Sequence, residues 1–572
     1  MQTLVKILRI LATGIATVVS AAPSTAQTLT VSDVFERGET SSWTFESAGK
    51  TIGYHVSRYD GTVDLPGRKA HAFHGEVELL VQSPGGSLKQ QFTGDLWTDE
   101  LGRCLRFVLF ARMVDVCSGV EINLLEGKGQ ARIFQGPTER KLELSTPTEV
   151  FLLANNFISH LELLLALRPV TAAAPSATFP MLSGNVLQNF PLKIDYRSEF
   201  EDEEAGEGGV VLEDSLGETL RVSASGRVTE LSIPAQKVVM HRTEESFPPI
   251  RIDPPRPAAG PAFDFDLEPV MVSHGEVRLA GTISRRKGAS GKAPAVFFVS
   301  GSGGQDRNGF SSGIDVGTHE ILDRLTQEGF MVLRVDDRGV GESTGPTGDM
   351  GYRDLVDDAR ACVEHLASRP DVAPGRICVI GHSEGGMTAP ILAAEMPDIA
   401  AIVLLAAPGR SIVPLLEEQL LWALEKQGTT KEAIDAEQKI YREFLERVTG
   451  DGSIDPATVR EDLRVWIAAR LWMQEHARID PLANLQMVKC PVLLLHGARD
   501  IQVSAERDAR VLLKALDDAG HRDHELVVFP ELDHLFKKTT GPQSTAEDYL
   551  KSRPVDQEFL DTLAAWLKSR LL

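Results

Sequence analysis

The sequence predicts two parts: a mostly β N-terminal domain, then an α/β domain with a mainly parallel sheet and a helical insertion. Its 572 residues exceed the roughly 250–300 at which a single hydrophobic core stops growing. Prolines are concentrated in residues 245–265, which we interpret as a stiff linker. Before the linker apolar residues alternate with polar ones, and after it short apolar strands alternate with amphipathic helices. The domains predicted are therefore residues 28–244 and 266–572.

The composition is typical of a globular protein, with 42% hydrophobic and 24% charged residues. The formal net charge is −22. Such an acidic surface disfavours nucleic acid and anionic membranes as partners, because phosphate groups must be met by Lys and Arg. Five cysteines in so long a chain do not make a disulfide framework, and the odd number leaves at least one thiol free.

The first 26 residues are typical of a signal peptide. Lys6 and Arg9 supply a positive start, residues 10–19 are apolar, and small residues at 24–26 precede a cleavage point at Gln27. The apolar run is shorter than the ~20 residues that a membrane-spanning helix needs. No later run is long and apolar enough to span a bilayer. We therefore expect an exported protein, periplasmic or extracellular, with no membrane span.

Residues 28–244 are expected to form a sandwich or a curved half-barrel. Alternation is clear in residues 75–81, 105–110 and 120–125, and one apolar helix, about 148–167, would pack across the sheet. No nucleophile motif occurs in this domain. We expect it to modulate the second domain by docking against it or by holding an apolar ligand in a concavity, or else to serve as a packing module.

Two pairs of residues in this domain could carry chemistry. His71 and His74 are close in sequence, but no spacing specifies further ligands, so we predict no metal. Cys104 and Cys117 flank one predicted strand and could oxidise in an exported protein. They would form a disulfide only if the segment folds back and brings their Cα atoms within ~7 Å.

The second domain should alternate strands with helices around a parallel sheet. Strands are predicted at residues 296–299, 331–335, 377–380, 401–405, 492–495 and 526–529, and helices at 318–328, 352–368 and 555–571. Residues 411–485 show only helical periodicity, including helices at about 415–426 and 459–477. We interpret this segment as a lid inserted near a site.

A G-x-S-x-G motif at residues 381–385 (GHSEG) indicates a nucleophile at Ser383. An apolar strand leads into it and a helix follows, so the glycines would permit a tight turn that exposes the hydroxyl. A serine needs a base to take its proton, and the base needs an acid to orient it. Asp500 follows one predicted strand and His534 follows the last, in the order Ser, Asp, His. Asp533 is the alternative acid.

Two backbone N–H groups must also stabilise the oxyanion of an acyl-transfer reaction. One is expected from Glu384, the residue after the nucleophile. The other is assigned to Ser302, in the Gly-rich loop after the strand at residues 296–299. That loop lacks the Lys-Ser/Thr of a phosphate-binding loop. No cofactor or metal is needed for this chemistry, and none is expected.

Five motifs make residues 266–572 resemble the serine aminopeptidase and esterase group of α/β-hydrolases, which is related to the prolyl-oligopeptidase-like enzymes. They lie at residues 301–307, 337–343, 381–386, 496–500 and 533–534. The resemblance implies the α/β-hydrolase fold and cleavage of carboxylic esters, or in some members of peptides or amides. Asp337 and Arg338 are interpreted as a buried pair that holds a loop.

The leading hypothesis is thus an exported serine hydrolase that cleaves small carboxylic esters through an acyl-enzyme. The alternative is a peptidase or aminopeptidase acting on short peptides, which would need a carboxylate to hold the peptide amine; Glu342, Glu384 and the acidic residues of the lid are candidates. A hypothesis of another class is a binding protein with an inactive hydrolase domain. The presence of all three triad residue types argues against it.

Overall fold

The computed structural model describes residues 29–83, 86–125, 129–202, 207–255, 263–346 and 350–572. The predicted signal peptide, residues 1–26, lies outside them. The chain forms two compact units that divide between residues 257 and 258. Within the described part of the chain, no helix has the length and apolar character needed to cross a bilayer.

The first unit contains a sheet of fifteen strands, in the order β8-β7-β6-β5-β4-β3-β2-β1-β15-β14-β13-β12-β11-β10-β9. Described neighbours pair antiparallel, apart from the parallel pair β9 and β10. The strands are β1 Thr40–Ser47, β2 Lys50–Leu65, β3 Arg68–Ser83, β4 Gly86–Thr98, β5 Cys104–Met113, β6 Val116–Asn123, β7 Gly129–Gln135, β8 Thr138–Leu144, β9 Phe151–Leu153, β10 Ser176–Ser183, β11 Asn189–Asp202, β12 Glu207–Asp214, β13 Thr219–Ser223, β14 Val228–Ile233 and β15 Val238–Thr243. The mostly β character predicted for this domain is confirmed.

One helix, Ile158–Leu167, forms the centre of this unit. It is apolar on nearly all sides, which is typical of a helix enclosed by protein, and nine of its residues are buried. Side chains from both halves of the sheet, such as Phe107 and Met240, share one core with it, so the sheet must wrap around the helix. The helix therefore contributes to the main hydrophobic core of this unit.

The register of the sheet excludes the disulfide considered between Cys104 and Cys117. Strands β5 and β6 pair antiparallel, with Cys117 opposite Arg112, while Cys104 lies at the other end of β5, opposite Thr98 of β4. Eight residues of extended chain between positions 104 and 112 separate the thiols by roughly 25 Å. Both cysteines are free.

His71 and His74 lie on opposite faces of β3, since side chains three positions apart on a strand point to opposite sides. His71 is buried, with Nδ1 2.6 Å from the Tyr59 hydroxyl. His74 lies between two carboxylates, 2.7 Å from Asp95 and 3.1 Å from Glu76. These carboxylates raise the pKa of His74 to about 9. The two histidines do not form a metal site together.

Part of the predicted linker packs against this unit. The ring of Phe247 stacks on Tyr54 at 4.2 Å, and the Tyr54 hydroxyl donates to the carbonyl of Pro248. The backbone N–H of Ile250 donates to Glu76, and the Ile250 side chain is buried. The beginning of the linker is thus held on the sheet by specific contacts.

The second unit contains an eight-stranded sheet in the order β16-β17-β21-β18-β22-β23-β24-β25. Its strands, with a separate two-stranded ribbon β19/β20, are β16 Phe265–His274, β17 Val277–Arg286, β18 Ala293–Val299, β19 Phe310–Ser311, β20 Ile314–Asp315, β21 Met331–Val335, β22 Val372–His382, β23 Ile399–Leu405, β24 Val492–Gly497 and β25 His524–Phe529. Strands β16 and β17 form an antiparallel edge, and the strands from β21 onward pair parallel. The α/β fold class is confirmed.

Helices cover the sheet of the second unit and form the inserted block. The α-helices of this unit are Thr318–Glu328, Tyr352–Ser368, Gly385–Glu395, Ile412–Lys426, Lys431–Thr449, Arg470–Ala477, Pro481–Gln486, Arg510–Asp518 and Gln557–Leu571. The block at residues 411–485 is helical, but the single helix expected at 459–477 is wrong. A 3₁₀ segment, Glu461–Trp466, and the helix Arg470–Ala477 occupy that stretch instead.

Candidate active site

Ser383 occupies a tight turn between β22 and the helix Gly385–Glu395. Its φ angle is 54°, in the left-handed region that non-glycine residues rarely adopt. A Cβ on Gly381 would overlap the carbonyl oxygen of Gly385, and a Cβ on Gly385 would overlap that of Val299. Only glycine fits at both positions, so the two motif glycines make the turn possible and leave Ser383 partly exposed.

Asp500 and His534 are hydrogen-bonded, with 2.7 Å between Asp500 Oδ2 and His534 Nδ1. Asp500 follows β24, and its other oxygen accepts the N–H groups of Gln502 and Val503. Both side chains are buried. Burial lowers the pKa of His534 below its ordinary value, which favours the neutral imidazole that a general base requires.

The loop of Asp500 is held by His496, at the end of the same strand. His496 is buried and its Nε2 donates to the carbonyl of Val503 at 3.2 Å. Burial also raises the pKa of Asp500, which the two backbone donors oppose. His496 thus stabilises the turn that carries Asp500.

Asp533, the alternative acid, has other partners. Its Oδ1 accepts the N–H groups of Leu535 and Lys537, and its Oδ2 accepts a 2.7 Å hydrogen bond from Arg553. These contacts shape the loop that carries His534 and leave Asp533 beside Arg553. The geometry favours Asp500 as the partner of the histidine.

A second histidine joins the nucleophile turn to the base. His382 immediately precedes Ser383, and its Nε2 donates to the carbonyl oxygen of His534 at 2.9 Å. The two imidazole rings are 4.8 Å apart. The turn that carries Ser383 and the loop that carries His534 are therefore in contact, although within the described chain no hydrogen bond joins the Ser383 hydroxyl to His534. Catalytic hydrogen bonds are often loose without substrate.

The loop after β18 lies against the nucleophile. A Cβ on Gly301 would come within 3.1 Å of the Ser383 Cβ, so glycine permits this close approach. Ser302, the expected oxyanion donor, is the next residue and is partly exposed. Glu384, the other expected donor, starts the helix Gly385–Glu395 with helical dihedral angles. Backbone N–H groups at a helix start have no acceptor within the helix and favour negative charge.

Asp337 holds this loop, but not through the Asp–Arg pair that we expected. Its carboxylate accepts from the Ser300 hydroxyl at 2.8 Å and from the Gln305 N–H at 2.8 Å. Burial raises the pKa of Asp337 to about 7. Arg338 points elsewhere and forms two 2.8 Å hydrogen bonds with Asp358. Adjacent residues in a loop point in different directions. Asp337 and Arg338 therefore bind different partners, although they are neighbours in the sequence.

The two carboxylates considered for binding a peptide amine already have partners. Glu384 is buried, and its Oε1 accepts from Trp472 Nε1 at 2.7 Å. Burial raises the pKa of Glu384 to about 7, although the Trp472 hydrogen bond lowers it. Glu342 accepts from the Arg307 guanidinium at 2.7 Å. No sequence spacing predicts the Trp472 contact, because the partners are 88 positions apart.

One cluster in the described residues has three potential metal ligands: Asp315, His319 and Glu320, whose ligand atoms lie within 4.8 Å of one another. Protein groups already use these side chains. Asp315 accepts the Gly317 N–H and lies 3.3 Å from His319 Nε2, and Glu320 accepts the Val555 N–H. The cluster is explained as a structural network.

The parallel sheet, the glycine-bounded serine turn after β22 and the Asp–His pair after β24 and β25 define the second unit as an α/β-hydrolase. Residues 315–537 match the model of the family described as serine aminopeptidase, S33. The resemblance predicted from the motifs is thereby confirmed, since this part of the second unit is similar to that family.

The chain is also similar to individual proteins. The chain is 32% identical over 294 residues to esterase EstD of Thermotoga maritima. The aligned residues make up 50% of this chain and 65% of the relative. It is 33% identical over 118 residues to the putative hydrolase YtaP of Bacillus subtilis, covering 18% of this chain and 40% of the relative. The chain thus spans less than two thirds of either relative. The solved Pyrococcus furiosus esterase Pf2001 matches 54% of this chain and 92% of its own, at 18% identity and a TM-score of 0.36.

Proposed function

We propose that this chain is an exported serine hydrolase that cleaves small carboxylic esters with Ser383, His534 and Asp500. The observation that carries the proposal is the 2.7 Å Asp500–His534 hydrogen bond, located beside the strained Ser383 turn. The similarity to an esterase supports the ester as substrate. Export is inferred from the signal-peptide pattern of the first 26 residues.

In the proposed reaction, Ser383 Oγ attacks the ester carbonyl carbon while its proton moves to His534 Nε2. The negative charge that develops on the carbonyl oxygen is stabilised by the N–H groups of Ser302 and Glu384. His534 then protonates the leaving alcohol, and an acyl-enzyme remains. Water, deprotonated by the same imidazole, releases the acid. Asp500 orients His534 and stabilises its charged form.

The engaged carboxylates favour the ester over a peptide. An aminopeptidase must pair the substrate's ammonium group with a carboxylate, and burial of an unpaired charge is costly. Glu384 is taken by Trp472, and Glu342 by Arg307. A peptide amine would therefore have to share each of these carboxylates with the partner it already has. Binding without catalysis is disfavoured because the acid and base are hydrogen-bonded to each other.

The direct test is labelling with a fluorophosphonate probe, followed by peptide mapping. We expect the probe to label Ser383, and Ser383→Ala to lose both labelling and at least about 10⁴-fold in turnover of p-nitrophenyl esters. Ser368→Ala serves as the control, because Ser368 only donates to the carbonyl of His365 at a helix end. Faster cleavage of aminoacyl anilides than of short esters would favour the peptidase, and labelling at another serine would refute the triad.

A further inference from the structure

The inserted block is fastened to the nucleophile turn through one side chain. Glu384 follows Ser383 directly, and its Oε1 accepts a 2.7 Å hydrogen bond from the indole Nε1 of Trp472. His476 Nε2 lies 3.5 Å from the same oxygen. Trp472 and His476 belong to the helix Arg470–Ala477, which we call the docking helix. Both Glu384 and His476 are buried and Trp472 is half-buried, which limits the competition of water for these contacts.

The docking helix has further contacts with the hydrolase core. The ring of Tyr352 meets His476 edge-on at 4.8 Å, and its hydroxyl lies 2.9 Å from the Thr388 hydroxyl of the helix that follows Ser383. Glu475 accepts the backbone N–H of Arg353 at 2.8 Å, at the start of the helix Tyr352–Ser368. These contacts fix the docking helix against two helices of the core.

Trp472 joins two hydrophobic regions, the core beside the sheet and the core of the inserted block. Its side chain packs against the sheet core, which includes Met387, and against the core of the inserted block, which includes Leu416. It also meets His476 at 4.9 Å. A tryptophan is large enough to fill such a junction while its N–H still reaches a polar partner. The indole ring thus packs in both apolar regions while its N–H donates a hydrogen bond to Glu384.

We propose that the Glu384 side chain is a positioning residue: through Trp472 it ties the inserted block to the nucleophile turn and holds the Glu384 N–H in the orientation needed for the oxyanion. This inference rests on the proposed function for its catalytic part. The backbone N–H and the side chain of Glu384 share one Cα, and the backbone there has helical dihedral angles, φ −54° and ψ −39°, so the Trp472 hydrogen bond adds a restraint on a residue that the helix start already orients. The orientation of the donor matters because oxyanion stabilisation depends on preorganised geometry.

The contact with Trp472 requires a side chain at position 384 that has a hydrogen-bond acceptor at the place of Oε1. Glutamine keeps that oxygen and the length of the side chain, whereas alanine removes the acceptor and leaves the Trp472 N–H without a partner. On the other side of the contact, phenylalanine at position 472 keeps an aromatic ring and removes only the donor. These paired substitutions separate the hydrogen bond from the packing around it.

The experiment measures p-nitrophenyl ester kinetics and hydrogen exchange of the docking helix in the full-length chain. We expect Trp472→Phe and Glu384→Ala each to lower kcat about 10-fold, since one hydrogen bond is worth roughly a factor of ten, while KM changes less than about 3-fold. Amides of residues 470–477 should exchange faster in both. Glu384→Gln should restore kcat and exchange to within about 3-fold of wild type.

Trp466→Phe is the matched control. Trp466 packs in the core of the inserted block, and the same substitution there removes no contact to the nucleophile turn. Unchanged kcat and exchange in Trp472→Phe and Glu384→Ala would overturn the proposal, as would a Glu384→Gln variant as impaired as Glu384→Ala. If wild-type Ser383 takes no fluorophosphonate and the chain cleaves no ester, the proposed function fails instead. Hydrogen exchange alone then decides whether the tether exists.

Discussion

His382 Nε2 donates a 2.9 Å hydrogen bond to the backbone carbonyl of His534, so the residue before the nucleophile holds the residue that carries the base. Burial lowers the pKa of His382 to about 3, and the ring is therefore neutral in the working pH range. A carbonyl oxygen can only accept, which places the proton of this neutral imidazole on Nε2. The contact couples the Ser383 turn to the His534 loop directly.

Removal of this bond should reduce turnover without abolishing it. We expect His382→Ala to lower kcat for short esters about 10-fold, because the His534 loop loses one fixed contact. The control is His521→Ala, which breaks the same kind of bond, from Nε2 to the Cys490 carbonyl at 3.0 Å, before the start of β24. Equal activity losses in the two variants would show that the His382 effect is not specific to the site.

Asp500 and Asp533 should respond differently to the same substitution. Asp500→Asn removes the charge that orients His534, and we expect kcat to fall about 10³–10⁴-fold with a small change in stability. Asp533→Asn keeps an acceptor for the turn but weakens the ion pair with Arg553, so the melting temperature should fall while kcat changes little. Thermal unfolding and ester kinetics on both variants decide between the two acids. The reverse pattern would make Asp533 the catalytic acid.

Activity should persist below the ordinary pKa of histidine. The active form has a neutral His534, and burial lowers the pKa of that imidazole from 6.5. A lowered pKa keeps the base neutral to lower pH, so the acid limb of kcat/KM should lie below pH 6.5. The measurement is kcat/KM for a p-nitrophenyl ester across pH 4 to 8. A limb above pH 6.5 would contradict a buried neutral base.

The buried carboxyl of Glu384 should make stability depend on pH. Burial raises its pKa to about 7 from 4.5, with a further increase from the charge of Asp337. The folded chain therefore holds this proton between pH 4.5 and 7 while the unfolded chain releases it, so this group's contribution to stability falls as pH rises through that window. The neighbouring groups are Trp472, which donates to it, His476, whose pKa burial lowers to about 4, and Tyr352.

Glutamine at this position cannot lose a proton. We expect the melting temperature of Glu384→Gln, relative to wild type, to rise between pH 5 and pH 8, because only the wild type loses stability from this group. Differential scanning calorimetry on both proteins across this range gives the difference directly, and the other titrating groups cancel in it. A difference that stays constant with pH would show that Glu384 titrates outside this window.

The second unit should work without the first. In the described part of the chain, the hydrophobic clusters around its sheet and its inserted block are made of residues 270–571, and its sheet begins with β16 at Phe265. A chain that starts at Asp264 should fold and hydrolyse short p-nitrophenyl esters at a rate within about 10-fold of the full chain. Circular dichroism verifies the fold. A well-folded fragment without ester hydrolysis would mean that the N-terminal unit supplies part of the active site.

Much of the second unit follows from local sequence. Helices Thr318–Glu328 and Tyr352–Ser368 and strand β21 have the predicted bounds. Hydrophobic periodicity and glycine positions are local properties, and they also indicated the turn at Ser383 and the order of Asp500 and His534. The helix expected at residues 459–477 was wrong because the periodicity continued through a stretch that forms a 3₁₀ segment and a separate helix.

What the sequence determined by itself is the set of strands and helices around the sheet and the candidates for the triad, since each depends on residues close together in the chain. Tertiary structure alone decided which side chains meet: Asp533 with Arg553, Asp337 with Ser300, and Glu384 with Trp472. It also placed Cys104 at one end of β5 and Cys117 on β6, opposite the other end of β5. Such partners are chosen by the packing of distant elements, and no spacing in the sequence records that choice.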